Sequence, residues 1–227
     1  MHQEFLLWLH EWVNKLPSKV FEDFDNPERI AIISVDMVNG FCHKGSLAST
    51  EVKSIIPNVV HVFKKAKNYG VENFVLLQDA HHHEATEFEA YPPHCVKGTD
   101  EADAIPELKE LSFANQFVTI EKNALSPAYE TYFDEWLLKH PKVDTFIIVG
   151  DCTDLCVYSV AMHLRLYANA KNLNRRIIVP SNAVATYDMP VKKAQKIGAL
   201  PHDEKLLHPL FLYHMALNAI EVIKEIK

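Results

Sequence analysis

A thiol that attacks a carbonyl carbon needs a base to take its proton and a cation to favour its charged form. The chain offers all three groups, each just behind a short apolar run. Asp36 follows Ile30–Val35, Asp79 and His81 follow Phe74–Leu77, and Lys122 follows Phe117–Ile120. After Thr145–Val149 comes Gly150-Asp151-Cys152-Thr153-Asp154-Leu155-Cys156. In an open parallel α/β sheet the ligand crevice lies at the carboxyl ends of the strands. If the runs are such strands, a carboxylate, an amine and a thiol converge on one rim. Singly, each has an ordinary explanation: an acid caps a loop, a lysine is solvated, a cysteine is a small buried hydrophobe. Jointly they make a nucleophile with its base and its counter-cation. With Thr153 as N-cap, Cys156 falls in the first turn of the next helix, where the macrodipole and Lys122 are expected to lower its pKa.

The elements that must position these groups follow from periodicity. The four runs above, with Ile177–Val179, are continuously apolar, as strands buried on both faces must be. Val52, Ile55, Ile56, Val59, Phe63 and Ala66 form a helical stripe, with Thr50 as its expected N-cap and Gly70 past its end. Val157, Val160, Ala161, Leu164 and Ala168 form a second stripe, and Leu212, Met215, Ala216, Ala219 and Ile223 a third. Strand and helix alternate, which predicts a three-layer α/β/α domain around a mostly parallel sheet of five or six strands. Ahead of it, Phe5, Leu9, Trp12 and Leu16 predict an accessory helix stopped by Pro17, with Trp8 and Trp12 buried in the monomer. This divides the chain into an accessory helix and connector, 1–28, and a main domain, 29–227. The polar stretch 80–115 is longer than a crossover needs and is expected to serve a site.

Composition narrows the function. The 227 residues are 48% hydrophobic and 23% charged, as in ordinary globular chains. A net charge of −7 leaves no basic surface for nucleic acid or an anionic membrane. Six glycines, none spaced as GxGxxG or GxxxxGK[ST], exclude the dinucleotide and phosphate-loop fingerprints. The run Phe5–Leu9 is too short for a secretory h-region, so a cytoplasmic protein is expected, with Cys42, Cys95, Cys152 and Cys156 as thiols.

Val35-Asp36-Met37-Val38-Asn39-Gly40-Phe41, Gly45-Ser46-Leu47-Ala48, Lys122 and Gly150–Val157 resemble the isochorismatase-like cysteine hydrolases, and within them the nicotinamidases, from about Ile30 to Val222. The resemblance implies a Rossmann-like topology and a catalytic trio of Asp36, Lys122 and Cys156. It also implies a non-proline cis peptide at Asp151-Cys152 and an oxyanion hole from the amides of Cys152 and Cys156. Asp79-Ala80-His81 with Tyr91–Thr99 is similar to the nicotinamidase metal signature. That similarity implies one divalent ion, Zn²⁺ first, then Mn²⁺ or Fe²⁺, on Asp79, His81 and His94. Glu87 sits where some members add a ligand, whereas His82 and His83 read as solvated. The implied reaction is nicotinamide hydrolysis to nicotinate and ammonia through a cysteine thioester, a step of NAD salvage, with Phe41 against the ring. The family's DxQxDF pattern lacks its glutamine and second aspartate here, and Leu125-Ser126-Pro127-Ala128 stands in place of YSAF. Two other readings stay open: a metal-free hydrolase of isochorismate or another small amide, and a catalytically silent interaction module. Assembly into a homo-oligomer also stays open.

Overall fold

The computed structural model describes residues 2–24 and 26–227. Helix α1 (His2–Asn14) and the short β1 (Ser18–Lys19) lead into β2 (Ile30–Val35). The chain continues through α2 (Asn39–Cys42), α3 (Thr50–Ser54) and α4 (Ile56–Tyr69) to β3 (Asn73–Asp79), then α5 (Pro106–Lys109) and β4 (Phe117–Lys122). Next come α6 (Phe133–Lys139), β5 (Thr145–Asp151), α7 (Cys156–Lys171), β6 (Arg176–Pro180) and β7 (Val184–Ala185). The last elements are α8 (Val191–Ile197), α9 (Glu204–Leu217), β8 (Glu221–Ile223) and β9 (Glu225–Ile226).

The main sheet has the order β4-β3-β2-β5-β6-β8, with β7 beside β5, and every pairing in it is parallel. Strand period 2 sorts the core into two layers. Ile30, Ile32, Phe74, Leu76, Ile147 and Val149 face α4 residues such as Val59 and Phe63. Ala31, Ile33, Val35, Val75, Leu77 and Ile148 face Val157, Val160 and Leu164 of α7, Leu212 and Met215 of α9, and Phe133 and Trp136 of α6. The α/β/α layering is as expected, but the sheet has seven strands among the described residues rather than five or six. The extra members, β7 and β8, span two and three residues, too few to show a periodicity.

Other boundaries also differ from expectation. The crossover stripe is two helices, because Pro57 lacks the N–H that continuation needs and sits instead in the opening turn of α4. Ser49, not Thr50, caps α3, its hydroxyl accepting from Val52 N at 3.0 Å. Gly70 closes α4 with φ +104°, as expected. Helix α9 ends at Leu217, so Ala219, at φ +59°, forms a turn and Ile223 belongs to β8. β4 lies at the sheet edge with Val118 and Thr119 exposed, so its run is not buried on both faces. No helix among the described residues is long and apolar enough to cross a membrane.

Candidate active site

Sheet register brings the predicted groups together. Val35 pairs with both Leu77 and Gly150, and Asp79 pairs with Lys122, so four strand ends lie side by side. Asp36 leaves β2 at φ +53°, a left-handed conformation that aspartate tolerates better than most residues. Its N–H donates to Leu77 O at 2.8 Å, and its Oδ1 accepts from Asp79 N at 2.7 Å. Gly150 has φ +116°, and a Cβ there would stand 2.0 Å from Val35 O, so only glycine fits between β5 and β2.

Beyond Gly150 the Asp151-Cys152 peptide is cis. Thr153 N donates to Ala185 O of β7 at 2.9 Å, and Val157 N to Cys152 O at 3.0 Å. Cys156 opens α7, as expected, but Thr153 does not cap it. Leu155 holds the N-cap position, and Thr153 is buried, its hydroxyl sharing a 2.8 Å hydrogen bond with His208 Nδ1. As the first residue of α7, Cys156 has no intrahelical acceptor for its N–H.

Lys122 Nζ is 2.9 Å from Asp36 Oδ2, hydrogen-bonds Asp79 Oδ1, and lies 3.6 Å from Cys156 Sγ. Asp36, Asp79 and Cys156 offer atoms that all lie within 4.8 Å of one another. These side chains are almost entirely buried, so each charge is set by its neighbours. Burial, then Asp79, raise Asp36 to about 6 against the pull of Lys122. Burial opposes ionisation of Asp79, but Lys122 and the two imidazoles overcome it and hold its carboxyl well below the usual range. Burial likewise works against the Lys122 ammonium, yet Asp36, Asp79 and Cys156 keep it charged. For Cys156 the expected lowering is reversed. Burial pushes the thiol up, Lys122 alone pulls it down, and Asp36 and Asp79 add to the rise.

A second group adjoins the first through Asp79. His81 Nε2 is 3.4 Å and His94 Nε2 3.8 Å from Asp79 Oδ2, and the three residues offer atoms mutually within 4.8 Å. His81 is fully buried, and neither ring nitrogen has a hydrogen-bond partner. Its backbone is held by Cys95 O and Lys97 N, both at 2.9 Å, which folds the 80–115 excursion back along the end of β3. His94 Nδ1 lies 2.8 Å from Pro92 O, a contact that turns Nε2 toward Asp79. Glu87 Oε1 approaches His81 Nε2 to 3.8 Å, outside the compact trio. A buried imidazole with no hydrogen bond on either nitrogen, beside a second imidazole and a carboxylate, is a donor set that fits a divalent ion with mixed N and O ligands. His82 and His83 are exposed, as expected.

Both groups open on one pocket. Phe41, Tyr91, Leu125, Leu155 and Tyr187 form its apolar walls, with Asp36, Asp79, Cys152 and Cys156 among its polar lining. Phe41 sits 5.5 Å ring to ring from His94. Sequence reading missed Tyr187, which no local motif marks, and Asp151, which lines the pocket with its Oδ1 unpartnered. Tyr91 stands out in the sequence only as part of the metal signature.

A parallel three-layer sheet with a thiol at the start of a helix, beside a buried lysine and aspartate, defines a cysteine hydrolase. The chain belongs to the isochorismatase family, whose domain model matches residues 30–200. Nicotinamidase 1 of Arabidopsis thaliana is 29% identical over 212 residues, covering 87% of this chain and 86% of the relative. The nicotinamidase/pyrazinamidase of Mycobacterium tuberculosis is 30% identical over 183 residues, 74% of this chain and 93% of its own. The pyrazinamidase of Pyrococcus horikoshii, solved in complex with zinc, shares the fold with a TM-score of 0.66 at 23% identity, over 86% of this chain and 99% of that one. The protein is thus a nicotinamidase-like enzyme of the isochorismatase family.

Proposed function

We propose that the enzyme hydrolyses nicotinamide to nicotinate and ammonia through a thioester on Cys156, returning the pyridine ring to NAD synthesis. The observation that carries this reading is the buried His81, neither of whose ring nitrogens is hydrogen-bonded, beside Asp79 and His94 at the edge of the thiol pocket. Asp79, His81 and His94 would hold a divalent ion, with Glu87 within reach. Once bound, the ion supplies a Lewis acid for the pyridine nitrogen, Zn²⁺ suiting the donor set best and Mn²⁺ or Fe²⁺ next.

The chain's own residues carry the covalent chemistry. Asp36, as the carboxylate, takes the Cys156 proton while the sulfur attacks the amide carbon, so the thiolate forms only as it is used. The C=O pair moves onto oxygen, which the Cys152 and Cys156 N–H groups receive. As the C–N bond breaks, Asp36 returns the proton to nitrogen and ammonia leaves. Water then gives a proton to Asp36 and adds to the thioester; the C–S bond breaks, sulfur takes that proton from Asp36, and the acid product loses its own proton to solvent and departs as nicotinate. Lys122 balances the changing charge on Asp36 and sulfur throughout. Phe41 and Tyr91 flank the ring.

Metal analysis paired with an ammonia-release assay tests the reading. We expect about one divalent ion per chain. Chelation should abolish nicotinamide turnover, Zn²⁺, Mn²⁺ or Fe²⁺ should restore it, and Cys156 should stay alkylable in the metal-free protein. A protein that neither holds nor responds to metal is instead a metal-free hydrolase of isochorismate or another small amide.

A further inference from the structure

We propose that Tyr187 is the specificity-determining wall of the pocket, and that His202, clamped to Asp154, is the residue that positions it. Tyr187 comes from the segment after β7, far in sequence from the motifs, yet it lines the same pocket as Cys152, Leu155 and Cys156. Its ring stacks flat on His202, 4.0 Å between centroids and 19° between planes. His202 Nδ1 lies 2.8 Å from the Tyr187 carbonyl oxygen, and its Nε2 lies 2.7 Å from Asp154 Oδ2. Both ring nitrogens therefore face acceptors, and only an imidazolium donates from both. Asp154, with Asp188 adding to it, favours that charged form against burial.

The clamp is anchored at each end. His202 exchanges two backbone hydrogen bonds with Met189, N–H to O at 2.9 Å and O to N–H at 2.7 Å, which ties down both ends of the excursion that carries α8. Asp154 also accepts from Thr186 Oγ1 at 2.5 Å. It stands between Cys152 and Cys156, so a single carboxylate fixes both the loop of the nucleophile and, through His202, the aromatic wall opposite. A flat, rigidly held ring selects planar substrates by stacking area, at little loss of its own freedom on binding. The wall therefore favours an amide on an aromatic ring over an aliphatic one of equal polarity.

This inference rests on the proposed reaction only for its substrate, so its test carries one readout that needs no nicotinamide. In the metal-loaded full-length enzyme, His202→Gln, Tyr187→Leu and the double variant are compared with the parent. The first readout is KM and kcat for nicotinamide. The second is the concentration of benzoate, relative to acetate, that halves alkylation of Cys156 by iodoacetamide. Each single variant should raise KM about tenfold, more than it lowers kcat, and should shrink the preference for benzoate by a similar factor. The double variant should match Tyr187→Leu within about twofold, because one wall is lost once. Losses that multiply, or a His202→Gln that lowers melting temperature while leaving KM and the benzoate preference in place, would overturn the proposal. Where the glutamine variant does not fold, His202→Asn, which keeps a side-chain donor, takes its place in the cycle. If the parent fails to hydrolyse nicotinamide but prefers benzoate, and the variants lose that preference, the reaction is wrong and the wall stands.

Discussion

Three buried carboxyls, Asp36, Asp79 and Asp151, feel the charge of one buried ammonium, Lys122, and this imbalance sets how the nucleophile works. The lysine's charge is favoured by Asp36 and Asp79 ahead of Cys156, so its pull on the sulfur is shared with two carboxylates. Burial and the other two acids raise Asp151 well above the usual carboxylate range. Burial, with Asp36 and Asp79, raises the Cys156 thiol, so its activation depends on Asp36 being ionised. With its pKa raised to about 6, Asp36 is a carboxylate above that pH and a carboxylic acid below it. The kcat/KM profile should therefore fall on the acid side of about pH 6, approaching tenfold per unit; a profile flat to pH 5 would remove Asp36 as the base. The two cysteines at this rim should also separate cleanly. Cys156→Ala should lose at least about a thousandfold in ammonia release, whereas Cys152→Ala should retain most of it, since Cys152 is proposed to act through its backbone N–H. Near-normal turnover in Cys156→Ala would sink the mechanism.

At the scale of elements, what sequence could show was whatever repeats over a full strand or several helical turns. The runs that became β2, β3, β4 and β5 and the stripe of α7 are of that kind, and the residues that follow the runs, Asp36, Asp79, Lys122 and Cys156, do meet. Features that depend on two or three residues were not legible: β7, β8, the break at Ile55, and the shift of a cap from Thr50 to Ser49. Equally hidden were consequences of tertiary packing, such as the raised thiol pKa and the meeting of Tyr187 and His202 with Asp154. Gly150 belongs to this second kind, because its necessity comes from Val35 on the neighbouring strand. Gly150→Ala should force β5 from β2 at the very point that aims the thiol loop. We expect a loss of about 3 kcal/mol or more in denaturant unfolding, from a left-handed φ and a backbone clash together, with activity lost in any fraction that folds. A stable, active Gly150→Ala would show that the two strand ends yield.

Across the whole molecule the two ends of the described chain are joined to each other away from the pocket. β1 pairs in parallel with β9, and Lys224 N and Lys227 N donate to Pro17 O and Lys19 O, each at 2.8 Å. Ser18 Oγ adds a 2.9 Å hydrogen bond to Glu225. Helix α1 lies on α9, where Tyr213 meets the edges of Phe5, Trp8 and Trp12 at 5.5, 5.3 and 5.8 Å, and Leu9 is fully buried. The tryptophans were expected inside; Trp12 is half-buried, but Trp8 is 45% exposed, because the stripe that faces the core runs through Leu9 and Leu16 instead. None of these residues lines the thiol pocket. The α1 segment should therefore serve stability and leave the chemistry alone. Leu9→Ala should cost about 3 kcal/mol, the range of a buried leucine truncated to a cavity, and deletion of residues 1–16 should lower the melting temperature further by baring the α9 surface. In both, kcat/KM for nicotinamide measured below the melting range should stay within about threefold of the parent, because α9 lines no part of the pocket and meets the nucleophile's loop and helix from behind, through His208 with Thr153 and Phe211 with Tyr158. A folded deletion variant that has lost turnover would mean that packing on α9 is transmitted through that helix to the thiol.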